Sequence, residues 1–404
     1  LLKPGSAVAA GTAVAGTGVR YVEAADRAGA KYNWGHTMDF GEQYYVRIVE
    51  ILESIRRNEM QLIGDISSRM AESIKKGGKV WYDAYVGHMG SYECNEENKG
   101  NPRIFVSNAK NVKYEEMKPG DVLVTNNVNE KIKTARDAGT YVVGVPVNYV
   151  DNEWTPRGFV NPNPNNWLLG DTSSVILQSY IPYHQGIVDI PEVPEMKICP
   201  SSANSVCSLF WMFQCEVANK LKNPKAKPVD KSAEFLDTVI GRIRDAYRLQ
   251  KNYIFDAAPA VAKMIGNGAY YHCTSDHGGV QSESNGVAMG PMMTNAFRGK
   301  AKKGDVHLLA TIEPDSQKII DEAKKAKEMG QFVVSIAPAN SLQIRRFSDV
   351  FIDNFCPEGG GVMDIPGFPQ KVGVAAGVMN NMLMWVFTAQ FIDEMVRRGW
   401  VPWF

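Results

Sequence analysis

Apolar residues recur every three to four positions over long stretches of this chain, and short apolar runs lie between those stretches. The first stretch is formed by Ile48, Leu52, Ile55, Ile63, Ile66, Met70 and Ile74. This spacing predicts two successive amphipathic helices, the second of which is ended by the pair Gly77 and Gly78. The apolar run at residues 80–86 follows directly and predicts a strand.

The alternation of helices and strands continues through the chain. Further strands are predicted at 122–124, 141–145, 269–273, 306–309 and 332–336. Helices are predicted between them, including 235–249 and 319–329. Strands that alternate with helices indicate a parallel sheet covered by helices on both faces, so the predicted fold class is α/β.

Two segments of the chain repeat each other. Residues 175–194 read VILQSYIPYHQGIVDIPEVP, and residues 350–369 read VFIDNFCPEGGGVMDIPGFP, with seven of twenty positions identical. A long apolar helical stretch follows each segment. Asp189 and Asp364 are identical in the two segments, and we interpret both as turn residues.

Shorter matches occur upstream in the same order. KPGDV at 118–122 matches KKGDV at 302–306, and GTYVV at 139–143 matches GQFVV at 330–334. GKVWY at 78–82 also matches NGAYY at 267–271. An internal duplication explains these matches, because self-similarity at a fixed spacing is the signature of repeated structural units.

The length of 404 residues suits two domains better than one. We place the boundary in the Lys- and Pro-rich stretch at 222–228, so the first copy covers residues 42–222 and the second covers residues 223–404. Residues 1–41 form a tail of small residues without an initiator Met. Such a tail is typical of the end of a twin-arginine export signal, so export is the alternative to a cytoplasmic location.

The composition excludes several classes of partner. Forty-four Lys and Arg residues balance forty-four Asp and Glu residues, so no net charge attracts nucleic acid. The six cysteines form no Cys-x-x-Cys pair and are typical of reduced core residues. No apolar run reaches the roughly 18–20 residues that span a bilayer. We therefore expect no nucleic-acid partner, no transmembrane segment, no metal and no cofactor.

The order of these motifs resembles the sugar isomerase (SIS) domain over residues 42–404. In the second copy, residues 348–354 (SDVFIDN) and 365–373 (IPGFPQKVG) resemble an uncharacterised subgroup related to phosphosugar isomerases. The resemblance implies two flavodoxin-like domains, each with a five-stranded parallel sheet. It also implies that sugar phosphates bind at the carboxyl ends of the strands, where open α/β sheets place ligands.

The phosphate loop of that family is rich in Ser, Thr and Gly, and the first copy departs from it. Residues 125–130 read TNNVNE at this position. Side chains of Thr125, Asn127 and Asn129 could still hydrogen-bond sugar hydroxyls or phosphate oxygens. The first copy therefore keeps a mostly neutral loop.

The second copy departs in another way, because residues 311–316 read TIEPDS. Glu313 and Asp315 lie where a phosphate would bind, and like charges at close range repel. Ordinary phosphate binding is therefore doubtful at this loop. The predicted ligand contacts of this copy are Thr274, Ser275, Thr311, Ser316 and Lys371, the last of which resembles a lysine in the final loop of the family.

A histidine and a glutamate follow the first strand of each copy. Aldose–ketose isomerisation needs a base that moves a proton between adjacent carbons and an acid that opens the ring. Glu283 with His277 is the first candidate pair, and Glu93 with His88 is the second. The alternative is that each histidine satisfies a buried turn and each glutamate caps a helix.

Two functions of different classes remain open on these residues. The first is a cofactor-independent isomerase that acts on a sugar or a sugar phosphate. The second is a non-catalytic carbohydrate-binding or assembly protein with degenerate phosphate loops. Because SIS domains pair in the family, we expect the two copies to form a pseudo-two-fold unit and the whole chain to form homo-oligomers.

Overall fold

Two parallel sheets form the framework of the protein. The computed structural model describes residues 22–23, 38–83, 100–106, 112–147, 167–182, 185–194, 197–223, 225–276, 278–286, 300–314, 316–357 and 359–401. The first sheet contains, in this order, the strands β2 (Val80–Asp83), β3 (Val122–Thr125), β4 (Tyr141–Gly144) and β5 (Val175–Ile176). The second sheet contains, in the corresponding order, the strands β8 (Tyr271–Ser275), β9 (Val306–Ala310), β10 (Phe332–Ala337) and β11 (Val350–Asp353).

Two antiparallel hairpins and a short terminal pair complete the strands. The hairpins are β6 (Gly186–Asp189) with β7 (Lys197–Pro200), and β12 (Gly361–Met363) with β13 (Val372–Val374). Near the termini, β1 (Val22–Glu23) pairs with β14 (Trp400–Val401).

Helices cover the sheets. In the first copy they are α1 (Phe40–Asn58), α2 (Met60–Lys75), the 3₁₀ turn η1 (Tyr114–Glu116), α3 (Glu130–Asp137), α4 (Leu169–Thr172) and α5 (Ser202–Lys222). In the second copy they are α6 (Lys231–Gly266), α7 (Gly278–Gly286), α8 (Gln317–Glu328), α9 (Leu342–Arg346) and α10 (Ala376–Arg397). The predicted α/β class and the duplication are both confirmed.

The backbone repeats even at its unusual positions. Tyr180 and Phe355 occupy equivalent places after the last strand of each sheet, with φ angles of 57° and 56°. Gln185 and Gly360 precede the two hairpins, with φ angles of 64° and 69°. Because non-glycine residues rarely adopt this left-handed conformation, its recurrence at equivalent positions shows that the two copies share one local backbone path.

The first sheet extends beyond β2. Val106 N donates to Val80 O at 2.9 Å, so residues 104–106 run along the side of β2 that faces away from β3. Counted as an edge strand, this segment gives the strand order 2-1-3-4-5 of flavodoxin-like sheets. The described residues of the second sheet form four paired strands.

The Gly-Asp-Val motif of each copy has a structural role. Asp121 accepts hydrogen bonds from two backbone amides, and Asp305 accepts the same pair of bonds in the second copy. The donors are Lys79 N (2.8 Å) and Lys118 N (3.1 Å) for Asp121, and Tyr270 N (2.9 Å) and Lys302 N (2.8 Å) for Asp305. Each carboxylate therefore holds the start of two neighbouring strands together.

The predicted match of residues 78–82 with 267–271 is wrong by two positions. Val80 pairs with Val122, and Tyr271 pairs with Val306, so Val80 and Tyr271 are the equivalent residues. The aspartate sets this register through the residue that precedes each strand, whereas the aromatic residues on which the sequence match relied do not.

The first helix of each copy begins against the last helix of the other copy. Gln390 Oε1 of α10 accepts from Gly41 N of α1 at 3.3 Å, and Glu216 Oε2 of α5 accepts from Ser232 N of α6 at 2.8 Å. Side chains thus cap the two helix N-termini reciprocally. The helix α1 also packs on α10, and α6 packs on α5, so the first helix of each copy contacts the last helix of the other copy.

The helices α5 and α10 also pack on each other, as the pseudo-two-fold unit predicts. Asn204 and Asn381 join them by a side-chain hydrogen bond, and Asn204 Nδ2 also donates to Val378 O at 3.0 Å. Cys199, Cys207, Cys215, Cys273 and Cys356 are buried and unbridged, as expected for core thiols. Among the described residues, no helix is long and apolar enough to cross a membrane.

Candidate functional site

A buried carboxyl group lies at the carboxyl edge of the first sheet, where its parallel strands end. Asp83 is the last residue of β2, is 2% exposed and lies beside Thr125, the last residue of β3. Thr125 Oγ1 donates to Asp83 Oδ2 at 3.3 Å, and the Tyr114 hydroxyl donates to the same oxygen. Asn127 Nδ2 lies 3.4 Å from Asp83 O. These contacts bring four polar residues to one point of the edge.

The environment of Asp83 changes its acidity. Burial raises its pKa to about 6, although hydrogen bonds from Tyr114, Asn127 and Thr125 act in the opposite direction. A carboxyl group with this pKa exchanges its proton near neutral pH. Asp83 therefore has the property that acid–base chemistry requires, and it was absent from the residues predicted from sequence.

The three ligand contacts predicted for the first copy lie around this carboxyl group. Asn127 N donates to Thr125 Oγ1 at 3.0 Å, which fixes the turn after β3. Asn129 caps α3, since its Oδ1 accepts from Ile132 N at 3.0 Å. Burial and Asp83 raise the pKa of the Tyr114 phenol, and the Asn129 side chain acts in the opposite direction. Thr125, Asn127 and Asn129 thus form one polar cluster.

Asn126 lies within the same turn and is fully buried. Neither its Oδ1 nor its Nδ2 has a hydrogen-bond partner among the described residues. A buried amide without partners destabilises a fold by about 1–3 kcal/mol. Among the described residues, the turn after β3 thus holds a buried amide that is open to a polar partner.

A second group of partnerless polar atoms lies at the N-terminus of α5. Gln185 is 2% exposed, and neither atom of its side-chain amide has a partner among the described residues. Ser202, the first residue of α5, is also buried, and its hydroxyl has no partner among the described residues. Ser201 N and Oγ both donate to Gln185 O at 3.0 Å, so Gln185 lies directly beside this helix end.

The equivalent position of the second copy also lies against a helix start. A Cβ built on Gly360, the equivalent of Gln185, would lie 2.6 Å from Val374 Cγ1 and 3.5 Å from the Cβ of Ala376, the first residue of α10. Among the described residues, no side chain caps α5. Its first backbone amides and their partial positive charge therefore lie beside Gln185 and Ser202.

Hydrogen bonds connect the N-terminus of α5 to the edge of the first sheet. Ser205 Oγ donates to Ser179 O at 2.6 Å, and the Ser179 hydroxyl donates to Pro146 O. Val145, one residue earlier, donates from its N to Thr125 O at 2.8 Å. The uncapped helix end and the Asp83 cluster therefore belong to the same edge of one domain.

The second sheet repeats the carboxylate–threonine pair in a more acidic setting. The Thr311 hydroxyl donates to Asp276, and Thr311 Oγ1 accepts from Glu313 N at 3.0 Å, as Thr125 accepts from Asn127. Asp276 adds a carboxylate to the edge where the sequence already places Glu313. Ser316 begins α8 without a side-chain capping bond. Asp315 lies outside the described residues.

Thr274 and Ser275 have different surroundings. Thr274 Oγ1 lies 2.9 Å from His307 Nε2, on a face of the second sheet. Ser275 is buried at the end of β8, and its O accepts from Lys318 Nζ at 2.7 Å. Lys318 therefore brings a cation to this edge, and sequence reasoning had not singled it out.

Lys371 lies on the hairpin β12–β13, where its side chain is 53% exposed and its Nζ is 3.1 Å from Asp364 Oδ2. The first copy has the same pair, with Lys197 Nζ 3.4 Å from Asp189 Oδ1. Both aspartates therefore pair with the lysine of their own hairpin. This explains why Asp189 and Asp364 are identical in the repeat.

Glu283, the predicted base, is fully buried in α7. It lies near Tyr44 of α1, whose hydroxyl pKa is raised by burial first, then by Cys199 and by Glu283. Tyr44 hydroxyl oxygen lies 3.1 Å from Pro200 O and 3.3 Å from Asn204 Oδ1. The charge of a glutamate in the second copy thus acts on a tyrosine that contacts Pro200 and Asn204 at the start of α5.

The remaining predicted acid–base residues, His277, His88 and Glu93, lie outside the described residues. Within the part of the chain that is described, no group of three or more His, Cys, Asp or Glu side chains is arranged to hold a metal ion.

Known structures share this architecture, although no family model and no curated protein sequence matches the chain. The C-terminal domain of glucosamine-fructose-6-phosphate aminotransferase from Francisella tularensis is 11% identical with a TM-score of 0.52, and the match covers 91% of this chain and 98% of that one. A protein from Clostridium difficile described as a candidate phosphosugar isomerase is 13% identical with a TM-score of 0.50, covering 90% and 95%. A similarly described protein from Silicibacter pomeroyi is 10% identical with a TM-score of 0.50, covering 89% and 98%. The chain has the tandem sugar isomerase fold.

Within this sugar isomerase fold, the residues that sequence reasoning missed at the first sheet share one feature. Each is a polar residue at the end of a buried element: Asp83, Asn126, Gln185 and Ser202. Asn126 follows a predicted apolar strand, and Asp83 is the one charged residue inside the apolar run that predicts a strand at 80–86. Gln185 and Ser202 show no comparable signal, because their burial depends on contacts that are distant in the sequence.

Proposed function

We propose that this chain binds a carbohydrate derivative at the carboxyl edge of the first sheet. The observation that carries the proposal is the fully buried Asn126 amide, which lacks partners among the described residues. A sugar hydroxyl both donates and accepts hydrogen bonds, so neighbouring hydroxyls would satisfy both amide atoms. The partnerless groups of Gln185 and Ser202 offer further contacts of the same kind.

The charges of the two edges favour the first copy as the binding site. At the first edge, Thr125 and Asn127 are uncharged, and the raised pKa of Asp83 leaves a fraction of its carboxyl groups neutral near pH 7. At the second edge, Asp276 and Glu313 disfavour an anion. If the ligand carries a phosphate, the uncapped N-terminus of α5 is the group at the first edge that suits it.

An asparagine pair tests this site. Asn126→Leu removes the amide with little change in volume, and Asn219→Leu is the matched control. Asn219 is also buried with a partnerless amide, but it lies in the last turn of α5. Calorimetry and thermal shift with glucose, fructose and their 6-phosphates should show binding to the wild type and to Asn219→Leu, and no binding to Asn126→Leu.

The unliganded stability sharpens this test. Asn126→Leu should not lower the free energy of unfolding, because it removes a buried amide without partners. A folded Asn126→Leu protein that binds as tightly as the wild type would place the ligand elsewhere. Failure of the wild type to bind any of these sugars would refute the proposal.

Isomerisation is the second candidate function, and the position of Glu283 favours it. Its buried carboxyl group raises the pKa of the Tyr44 hydroxyl, after burial and Cys199, and that hydroxyl lies 3.1 Å from Pro200 O at the start of α5. This coupling is what supports a base from one copy acting at the proposed ligand site of the other. Glu283→Gln keeps the size of the side chain and removes the base. Retained binding with lost aldose–ketose conversion would support catalysis, whereas binding without turnover in the wild type would leave a binding protein.

A further inference from the structure

We propose that the Tyr114 hydroxyl occupies the sugar-recognising groups of the first sheet edge in the unliganded chain, and that the ligand displaces it. This inference rests on the proposed function and concerns the regulation of the same site. Tyr114 donates to Asp83 Oδ2, the oxygen that also accepts from Thr125. Burial and Asp83 raise the pKa of the phenol, and the Asn129 side chain acts in the opposite direction. Tyr114 thus binds the carboxyl group at the end of β2, beside the end of β3.

The chemistry of the phenol matches that of a sugar hydroxyl. Each group donates one hydrogen bond and accepts others, so Asp83 accepts from Tyr114 the bond that it would accept from a ligand. An oxygen that already accepts two hydrogen bonds has little capacity for a third. The site is therefore occupied from within, and a ligand hydroxyl must take the place of the phenol.

Tyr114 is held by its side chain more than by its backbone. Its ring packs on the apolar cluster of Trp81, Leu123, Ile132 and Val142. The turn η1 itself spans three residues, is half-buried at Tyr114, and is exposed at Glu115 and Glu116. A single 3₁₀ turn that lies on the surface of a domain is easier to move than a helix in its core. The displacement requires no change in the sheet.

The second copy lacks this arrangement in its described part. There, Asp276 accepts from the Thr311 hydroxyl and lies 3.4 Å from Ile312 N, and no described tyrosine bonds to it. Among the described residues, the internal hydroxyl thus belongs to the first copy, the copy that also carries the partnerless Asn126 amide. The hydroxyl that occupies Asp83 and the amide proposed to bind the sugar therefore lie at the same sheet edge.

Tyr114→Phe tests the displacement, because it keeps the ring on its apolar cluster and removes the competing hydroxyl. The control is Tyr141→Phe, which removes a half-buried hydroxyl at the opposite end of the same sheet. By calorimetry with the glucose and fructose panel, Tyr114→Phe should bind about tenfold more tightly than the wild type, the factor expected for one hydrogen bond to a charged group. Tyr141→Phe should bind as the wild type does.

Amide hydrogen exchange tests the occupied state without a ligand. Met117 N donates to Tyr114 O at 3.2 Å within η1, and its protection should fall about tenfold in both Tyr114→Phe and Asp83→Asn. Unchanged protection in both variants would overturn the inference, whatever the chain binds. If the wild type binds a sugar and Tyr114→Phe binds it equally or more weakly, the inference fails and the proposed function stands.

The opposite combination is also informative. If protection falls in the variants but no protein binds a sugar, the contact between Tyr114 and Asp83 exists and the proposed function fails. The displacement of Tyr114 by a ligand then fails with it.

Discussion

Two buried titratable groups should give this protein opposing pH dependences that nearly cancel. Burial raises the pKa of Asp83 from 3.8 to about 6. Burial lowers the pKa of His307 from 6.5 to about 4; the hydrogen bond with Gln331 acts in the opposite direction, and His272 adds to the lowering. Asp83 lies in the first sheet and His307 in the second, so their effects on the free energy of unfolding should add.

The signs follow from which state binds the proton more tightly. Folded Asp83 keeps its proton to a higher pH than the unfolded chain does, so stability falls as the pH rises from about 4 to about 6. Folded His307 resists protonation, so stability rises over about pH 4 to 6.5. A pKa difference of about 2 pH units corresponds to about 3 kcal/mol for each group. The two slopes should cancel in the wild type.

Single variants separate the two slopes. Asp83→Asn should leave the His307 slope, so its stability rises by about 3 kcal/mol between pH 4 and pH 6.5 relative to the wild type. His307→Leu should leave the Asp83 slope, so its stability falls by about 3 kcal/mol in the same window. Leucine is the residue at the equivalent position of the first copy, Leu123, and any constant loss from Thr274 and Gln331 does not alter the slope.

Urea unfolding at half-unit intervals from pH 4 to pH 7.5 measures these slopes. The double variant should return to a profile nearly parallel to that of the wild type. If both single variants run parallel to the wild type, burial does not shift either group by the stated amount. If both change in the same direction, the opposing signs are wrong.

Three further substitutions test the fold. Asp393 Oδ2 accepts from Phe40 N at 3.2 Å, so Asp393→Ala should lower the free energy of unfolding by about 1–3 kcal/mol, and an unchanged urea midpoint would exclude this cap. Gln185→Gly relieves a φ of 64° and removes a partnerless amide, so stability should rise by about 1 kcal/mol; a loss would contradict both reasons. Gly373 has a φ of 77°, and a Cβ there would lie 2.5 Å from Cys215 Sγ. Gly373→Ala should therefore lower the free energy of unfolding by about 2 kcal/mol or more. A melting temperature within a degree of the wild type would refute the clash.

The sequence was sufficient for the repeat because the repeated residues act locally. Asp189 and Asp364 each pair with the lysine of their own hairpin, although Asp189 also pairs with Arg47 of α1 at 2.6 Å, and Asp121 and Asp305 hold the starts of neighbouring strands. Interactions of this kind leave the same residue type at the same spacing in both copies. The α/β class, the order of elements and the equivalence of the two halves were predictable for that reason.

The contact between the first helix of each copy and the last helix of the other was not predictable. The interactions that fix it come from polar residues inside apolar helices. Glu216 and Gln390 occupy equivalent positions in α5 and α10, and each accepts from the first turn of a helix in the other copy. A buried glutamate in an apolar pattern signals that a partner exists. The sequence does not identify that partner, since it depends on how two domains dock.

The candidate site was predictable in its location and only partly in its residues. The turn after β3 was predicted to supply ligand contacts, and Thr125, Asn127 and Asn129 do lie together there. The roles of Asp83 and Tyr114 depend on contacts between separate strands and turns, to which periodicity is insensitive.

The unequal divergence of the two copies is itself informative about function. Directly after the threonine that bonds the edge carboxylate, directly before the hairpin and at the first residue of the last helix, the first copy has Asn126, Gln185 and Ser202, whereas the second has Ile312, Gly360 and Ala376. All three polar side chains are buried and contain atoms without a partner among the described residues. The second copy shows that the fold accepts apolar or small residues at these positions. Residues that lower stability where better ones fit are expected at functional sites, so we infer that the first copy retains the ligand-binding edge, while the second contributes the buried Glu283 and the capping helix α10.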